Sequence, residues 1–119
     1  MSVVRRCTAL FLLAAFEVFA QGPSPLYVVT YVEVKPPAKS EAATLLKSYR
    51  DATRREEGNL RSEAVQHAAR PGQFVLLTAW KDQKAYEAHA AAASTREFRD
   101  KLAGMAGALY DERVYEILN

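Results

Sequence analysis

The chain has 119 residues, which is enough for one domain, and half of them are hydrophobic while a quarter are charged. Its formal net charge of +2 gives no reason to expect a nucleic acid or an acidic partner. The single cysteine, Cys7, excludes a disulfide within the chain.

The N-terminus has the residue order of a secretory signal peptide. The basic pair Arg5-Arg6 precedes an uncharged run at 7–16 that is rich in Leu, Ala and Phe, and small residues around Ala20 offer a cleavage site. The alternative is a membrane anchor, but a membrane-spanning helix needs roughly 20 apolar residues. We therefore predict that residues 1–20 are removed on export, leaving a leader at 21–25, no stable membrane anchor and a periplasmic or secreted protein.

The remaining residues, 26–119, are predicted to form one domain that opens with a strand and a helix. Residues 26–34 are dense in β-branched and aromatic side chains, which favours a strand that ends before Pro36-Pro37. Residues 38–55 change to helical spacing, and Gly58-Asn59 supplies the stop signal. One apolar stripe on this helix is formed by Ala42, Leu45, Leu46, Tyr49, Ala52 and Thr53.

A hairpin is predicted next. Residues 60–68 alternate in part between polar and apolar side chains, and residues 74–80 form the most apolar strand of the chain. Between them, residues 70–73 contain the Pro-Gly pair that is typical of a tight turn. Two strands joined in this way pair in antiparallel fashion.

The C-terminal third is predicted to contain two helical pieces and a last strand. Asp82 is a suitable N-cap for a helix at 83–93, and Ser94-Thr95 caps a further helix that runs to Leu109. A strand at 110–118 closes the chain. The order β-α-β-β-α-β, with the second helix broken in two, predicts an α+β fold of the ferredoxin-like type. Its four strands form one antiparallel sheet, with the helices on one face.

Both faces of this predicted sheet are apolar. In strand 74–80 one side carries Phe74, Leu76 and Trp80, and strand 26–34 shows the same pattern. A strand that is apolar on both sides is normally buried on both sides, yet the helices cover only one face. We therefore predict a homodimer in which a second copy covers the other face. The alternative is a monomer that binds a lipid or another large hydrophobe there.

Two short sequences carry a resemblance to a known family. They are EEGNL at 56–60 and AWKDQKAYEAH at 79–89, followed by a helix with Phe98. With the strand ending at proline and the hairpin, they make the chain resemble the antibiotic biosynthesis monooxygenase family. In this family a tryptophan ends the third strand, and an alanine, an aromatic residue and a histidine follow on the next helix. Those places are held by Trp80, Ala85, Tyr86 and His89. The resemblance implies a dimeric α/β barrel.

The resemblance also implies a choice of activities. Some members are monooxygenases that need no cofactor and no metal and convert anthrones or quinols into quinones with O2. This branch uses a tryptophan, a tyrosine and an arginine, for which Trp80, Tyr86 and Arg99 stand here, while its asparagine is replaced by Leu76. The haem-degrading branch is not expected, because its asparagine, tryptophan and histidine are replaced by Tyr31, His89 and Leu102.

We accordingly predict a cofactor-independent monooxygenase for a small aromatic or quinol-like substrate. Trp80, Tyr31 and Leu76 are expected to contact the substrate ring, while His89, Arg99 and Tyr86 are expected to stabilise its anion or move a proton. Each of these residues has an alternative role in packing or on a solvated face. The alternative function is a non-catalytic dimeric binding protein for a hydrophobic metabolite, and haem binding is a weaker third possibility.

Overall fold

A computed structural model describes residues 24–119, so the predicted signal peptide and most of the leader lie outside the described residues. In that part of the chain, no helix is long and apolar enough to cross a membrane. The elements are β1 (Leu26–Val34), a short 3-10 helix (Pro36–Ala38), α1 (Lys39–Arg54), β2 (Asn59–Gln66), β3 (Gln73–Trp80), α2 (Gln83–Ala91), α3 (Ala93–Ala103) and β4 (Ala106–Glu116).

The four strands form one antiparallel sheet in the order β2-β3-β1-β4. Burial alternates along β1, with Val28 and Val32 buried while Tyr27 and Tyr31 are exposed. The helices therefore cover one face of the sheet, which we call the helix face, and the predicted ferredoxin-like α+β fold is confirmed. The predicted break of the second helix is also confirmed, since α2 and α3 are separate.

The predicted boundary between α3 and the last strand is wrong. We expected a helix to Leu109, but α3 ends at Ala103 and β4 begins at Ala106. Gly104 is a poor helix former. The backbone N–H of Lys35 donates to the carbonyl of Met105 (2.9 Å), so the chain joins the sheet directly after the helix. Pairing with β1 outweighs the helical spacing of this segment.

The predicted cap of α3 is also wrong. The N-cap is Ala92, whose backbone is extended, and neither Ser94 nor Thr95 caps the helix through its side chain. Thr95 is buried and donates its hydroxyl hydrogen to the carbonyl oxygen of His89 (2.8 Å). The hydroxyl therefore joins α3 to the end of α2 instead of capping a helix.

The core lies between the helix face and the helices in two groups. The larger group contains nine buried side chains: Val32, Val34, Ala42, Leu46, Tyr49, Phe74, Leu76, Phe98 and Leu102. The smaller group contains Val28, Trp80 and Ala85, with Tyr86 packed against it. The smaller group brings the end of β3 against α2.

The other face of the sheet, which we call the open face, is apolar at its centre. Val29 and Leu77 lie side by side there, and Tyr31 lies beside Val75. Charged residues flank this centre as pairs of opposite sign, Arg61 with Glu63 and Arg113 with Asp111. Several large apolar side chains on this face are exposed, namely Tyr27, Tyr31, Val65 and Tyr115.

Gly58, which links α1 to β2, is expected to be sensitive to substitution. Its φ is +82°, and an added Cβ would lie 2.6 Å from the Cβ of Ala85. We expect Gly58→Ala to lower the free energy of unfolding by about 1–3 kcal/mol, measured by urea denaturation. Gly104→Ala is the control, because Gly104 has a helical backbone and its nearest neighbour is 3.6 Å away. Equal stability of the two variants would contradict this account.

Candidate active site on the helix face

Trp80 lies at the centre of the candidate site, at the end of β3. Its side chain is 0% exposed, and its indole N–H donates to the hydroxyl of Thr78 (3.1 Å). The indole lies 4.5 Å from the imidazole of His89, between ring centroids, and packs with Tyr86. Two groups of polar side chains lie on the helix face, one around His89, which the indole contacts, and one around Arg99.

The first group is a buried hydrogen-bond network around His89, which we call the His89 network. The imidazole Nδ1 lies 2.5 Å from a carboxylate oxygen of Glu56, and Nε2 lies 2.8 Å from the hydroxyl of Tyr49. The Tyr49 hydroxyl is also 3.3 Å from that of Thr95, and its ring stacks on Phe98 at 3.8 Å. These contacts join the end of α1 to α2 and α3.

The His89 network has a clear chemical arrangement. A carboxylate at Nδ1 favours the tautomer with hydrogen on Nδ1, which leaves Nε2 to accept the hydrogen of Tyr49. Burial raises the pKa of Tyr49 well above its usual value, so its phenol stays protonated. Both imidazole nitrogens are thus occupied by protein. A substrate would meet His89 only if Glu56 or Tyr49 gave up its contact.

The second group, which we call the Arg99 cluster, lies between α2, α3 and β4. The guanidinium of Arg99 donates to the carboxylate of Glu112 (2.9 Å) and lies 5.4 Å from the ring centroid of Tyr110. The side chain of Arg99 is 42% exposed and that of Glu112 is 21% exposed. Unlike the His89 network, this cluster is partly exposed to solvent.

The phenols of the Arg99 cluster are held in their neutral form. Burial and the nearby charge of Glu112 raise the pKa of Tyr86. Burial and the same carboxylate raise the pKa of Tyr110, although the positive charge of Arg99 opposes them. The cluster therefore holds the guanidinium of Arg99, the carboxyl group of Glu112 and two neutral phenols.

The structure brings most of the predicted site residues to the helix face. Trp80, His89 and Tyr86 are neighbours there, and Arg99 lies on the adjoining helix. Leu76 is also on this face, but it is buried in the larger core group. Its predicted role in substrate contact stays a prediction.

Tyr31 lies apart from the other predicted site residues, on the open face. Its side chain is 44% exposed, and the guanidinium of Arg113 lies 5.2 Å from its ring centroid. It lines a cavity of about 370 Å³ together with Val65, His67 and Val75, among other residues. Tyr31 and Trp80 cannot form two walls of one pocket within a single subunit, because the sheet lies between them.

Four residues of these two groups were not singled out by the sequence. Tyr49 is part of an apolar stripe, and Glu56 occurs within the EEGNL motif, so neither indicates a partner for a histidine. Tyr110 and Glu112 are two residues apart in the last strand, which places both on one face. Glu112 could have been noticed in the sequence, because a glutamate on the side of a strand that faces the core usually has a specific partner.

Metal ions in proteins are usually bound by several His, Cys, Asp or Glu side chains that lie close together. In residues 24–119, no group of three or more such side chains has the arrangement that could hold a metal ion.

Comparison with known proteins indicates the family. A family model described as antibiotic biosynthesis monooxygenase matches residues 25–109. No curated protein sequence matches the chain. A solved structure of a candidate antibiotic biosynthesis monooxygenase from Nitrosomonas europaea is 26% identical, with a TM-score of 0.75, over 82% of this chain and 93% of that one.

Two further solved structures share the fold. A conserved protein from Methanosarcina mazei Go1 is 25% identical, with a TM-score of 0.73, over 82% of this chain and 96% of that one. A candidate antibiotic biosynthesis monooxygenase from Deinococcus radiodurans is 20% identical, with a TM-score of 0.75, over 79% of this chain and 93% of that one. The last of these supports the fold alone.

Proposed function

Because the chain belongs to the antibiotic biosynthesis monooxygenase family, we propose that it oxidises a small aromatic substrate of the quinol or anthrone type with O2 and without a cofactor. The observation that carries the proposal is the Arg99 cluster. A partly exposed cation lies there beside two neutral phenols, and one of these, Tyr86, packs against the core group that contains Trp80.

The reaction places simple demands on such a site. An electron-rich aromatic anion can give an electron to O2 directly, so the protein must bind the ring, stabilise the negative oxygen and exclude bulk water. The guanidinium of Arg99 has N–H groups beyond the one that Glu112 accepts. The phenols of Tyr86 and Tyr110 add hydrogen-bond donors and flat apolar surface. For an anthrone, one oxygen atom of O2 enters the product and the other leaves as water.

The direct test is O2 uptake by the purified protein with a panel of hydroquinones and anthrones. We expect uptake above the rate of spontaneous oxidation for at least one substrate, and a clear loss of that uptake in Tyr86→Phe. Tyr115→Phe is the matched control, because Tyr115 lies on the open face. Uptake equal to the protein-free rate for the whole panel would contradict the proposal.

Binding without turnover would favour the alternative function, a dimeric binding protein for a hydrophobic metabolite. The existing ion pair between Arg99 and Glu112 is the observation that supports this alternative, because the cation already has a counter-ion. In that case ligands would change the tyrosine and tryptophan fluorescence while O2 uptake stayed at the protein-free rate.

We also propose that the protein is a homodimer in which two open faces pack together. The apolar centre of that face and its flanking charges of both signs allow a self-complementary contact about a two-fold axis. In such a dimer each open face is covered by the other subunit. We further propose, from the signal-peptide pattern of residues 1–20, that the protein is exported to the periplasm or beyond.

The dimer predicts a strong effect of a charge at the centre of the open face. Leu77 lies between Val29 and Glu63 there, so Leu77→Glu would place another carboxylate beside that of Glu63, at the centre of the contact. We expect light scattering at micromolar concentration to show a dimer for the wild type and a monomer for Leu77→Glu. Val114→Glu, a matched control on the helix face of β4, should stay dimeric. A monomeric wild type would contradict the proposal.

A further inference from the structure

Oxidation of a phenol or an anthrone begins with the loss of a proton, and the Arg99 cluster contains few groups that can accept one. Tyr86 and Tyr110 are neutral phenols, and the guanidinium of Arg99 has no acceptor. The imidazole of His89 is 6% exposed, and both of its nitrogens are engaged by Glu56 and Tyr49. The carboxylate of Glu112 is therefore the acceptor that lies in the cluster itself.

We propose that Glu112 is the catalytic base of the site, and that it exchanges its place beside Arg99 with the substrate anion. The inference rests on the proposed function. When a phenol or the enol form of an anthrone binds, its O–H bond breaks, the electron pair stays on the substrate oxygen, and the proton moves to a carboxylate oxygen of Glu112. The guanidinium then has the substrate oxygen as its counter-ion.

The charge balance of the cluster permits this exchange. Before the step, the cation of Arg99 is paired with the carboxylate of Glu112 at 2.9 Å. After the step, the same cation is paired with the substrate anion, while Glu112 is neutral. The total charge is unchanged, so no unpaired charge is placed in a partly buried site, which would be unfavourable.

The surrounding elements favour Glu112 in this role. Tyr86 of α2 and Arg99 of α3 face it, and Tyr110 lies two residues away on the same side of β4. On β1 its partner in the sheet is Thr30, which carries no charge. Tyr49 of α1 also interacts with the charge of Glu112, and burial keeps its phenol neutral. Arg99 is thus the cation of the cluster with which either the carboxylate of Glu112 or the substrate anion can form an ion pair.

A binding experiment with a nitrophenol tests the inference without turnover. The nitrophenol is added to the full protein at a pH below its own pKa, and its ionisation is followed by absorbance. Calorimetry in two buffers of different ionisation enthalpy counts the protons released. For the wild type we expect bound phenolate with close to zero protons released to the buffer, because Glu112 takes them up.

Two variants complete the test. In Glu112→Gln the bound ligand should be neutral phenol, or phenolate with about one proton released per ligand. Glu116→Gln, an exposed glutamate on the same side of β4, should behave as the wild type. The inference is overturned if Glu112→Gln reproduces the wild-type result, if the wild type releases its proton to the buffer, or if it binds neutral phenol or nothing.

Measurements of the oxidation rate distinguish a failure of this inference from a failure of the proposed function. At neutral pH we expect Glu112→Gln to lower kcat about 100-fold, within the range for a general base. A substrate that is already ionised in solution should restore most of that loss, which a purely structural role would not predict. If the wild type oxidises substrates and Glu112→Gln does so equally well, Glu112 is not the base. The proposed function is still supported in that case. If the wild type never consumes O2, the function fails while the nitrophenol result still decides the role of Glu112.

Discussion

Arg99→Gln is expected to reduce kcat/KM about 100-fold or more in the O2-uptake reaction. The guanidinium is the one cation of the Arg99 cluster, and loss of a single donor to a developing oxyanion typically lowers kcat by about 10²–10³. Glutamine keeps part of the hydrogen bonding but removes the positive charge. Steady-state rates with the best substrate of the panel measure the effect.

The control for this variant is Arg96→Gln. Arg96 is an exposed arginine on the same helix, three residues before Arg99. We expect its kcat/KM to stay within about twofold of the wild type. Thermal unfolding of both variants checks that the fold is intact, because surface substitutions usually change stability by less than about 0.5 kcal/mol. Equal activity of Arg99→Gln and Arg96→Gln would show that the site lies elsewhere.

Trp80→Ala is expected to lower the free energy of unfolding by about 3–5 kcal/mol, the usual range for truncating a large buried aromatic side chain. The Trp80 side chain is 0% exposed, lies 4.5 Å from His89 and donates a hydrogen bond to Thr78. Its removal would leave a cavity between the His89 network and Tyr86. Urea denaturation followed by circular dichroism measures the change.

Leu118→Ala is the control for this stability effect, because Leu118 is 97% exposed and should change the free energy of unfolding by less than about 0.5 kcal/mol. Trp80→Phe keeps most of the apolar surface and is expected to fall between the two. If Trp80→Ala were as stable as the wild type but inactive, Trp80 would be a wall of the substrate site and not part of the core.

Much of the fold follows from local sequence patterns. The β-branched and aromatic residues at 26–34 predicted the strand β1 with its observed bounds. Asp82 caps α2 as expected and accepts a hydrogen bond from the backbone N–H of Ala85 (2.8 Å). The junction of α3 and β4 could not be predicted in the same way. The segment after Gly104 has residues that suit a helix, and only its pairing with β1 makes it a strand.

The site was predicted only in part for a similar reason. Trp80, Tyr86 and His89 stand close together in the sequence, and a short helix after a strand keeps them close in space. Glu56 and Glu112 come from distant segments and meet His89 and Arg99 through the packing of the whole domain. Their role depends on contacts between elements, which no local pattern contains.

The most direct test of the account is oxidation of an anthrone under 18O2 by protein that has been treated with a metal chelator. We predict that each anthraquinone formed contains one labelled oxygen atom, at a rate that falls about 100-fold or more in Arg99→Gln. This prediction would be contradicted if the new oxygen came from water, or if the labelled product formed equally fast with Arg99→Gln or without protein.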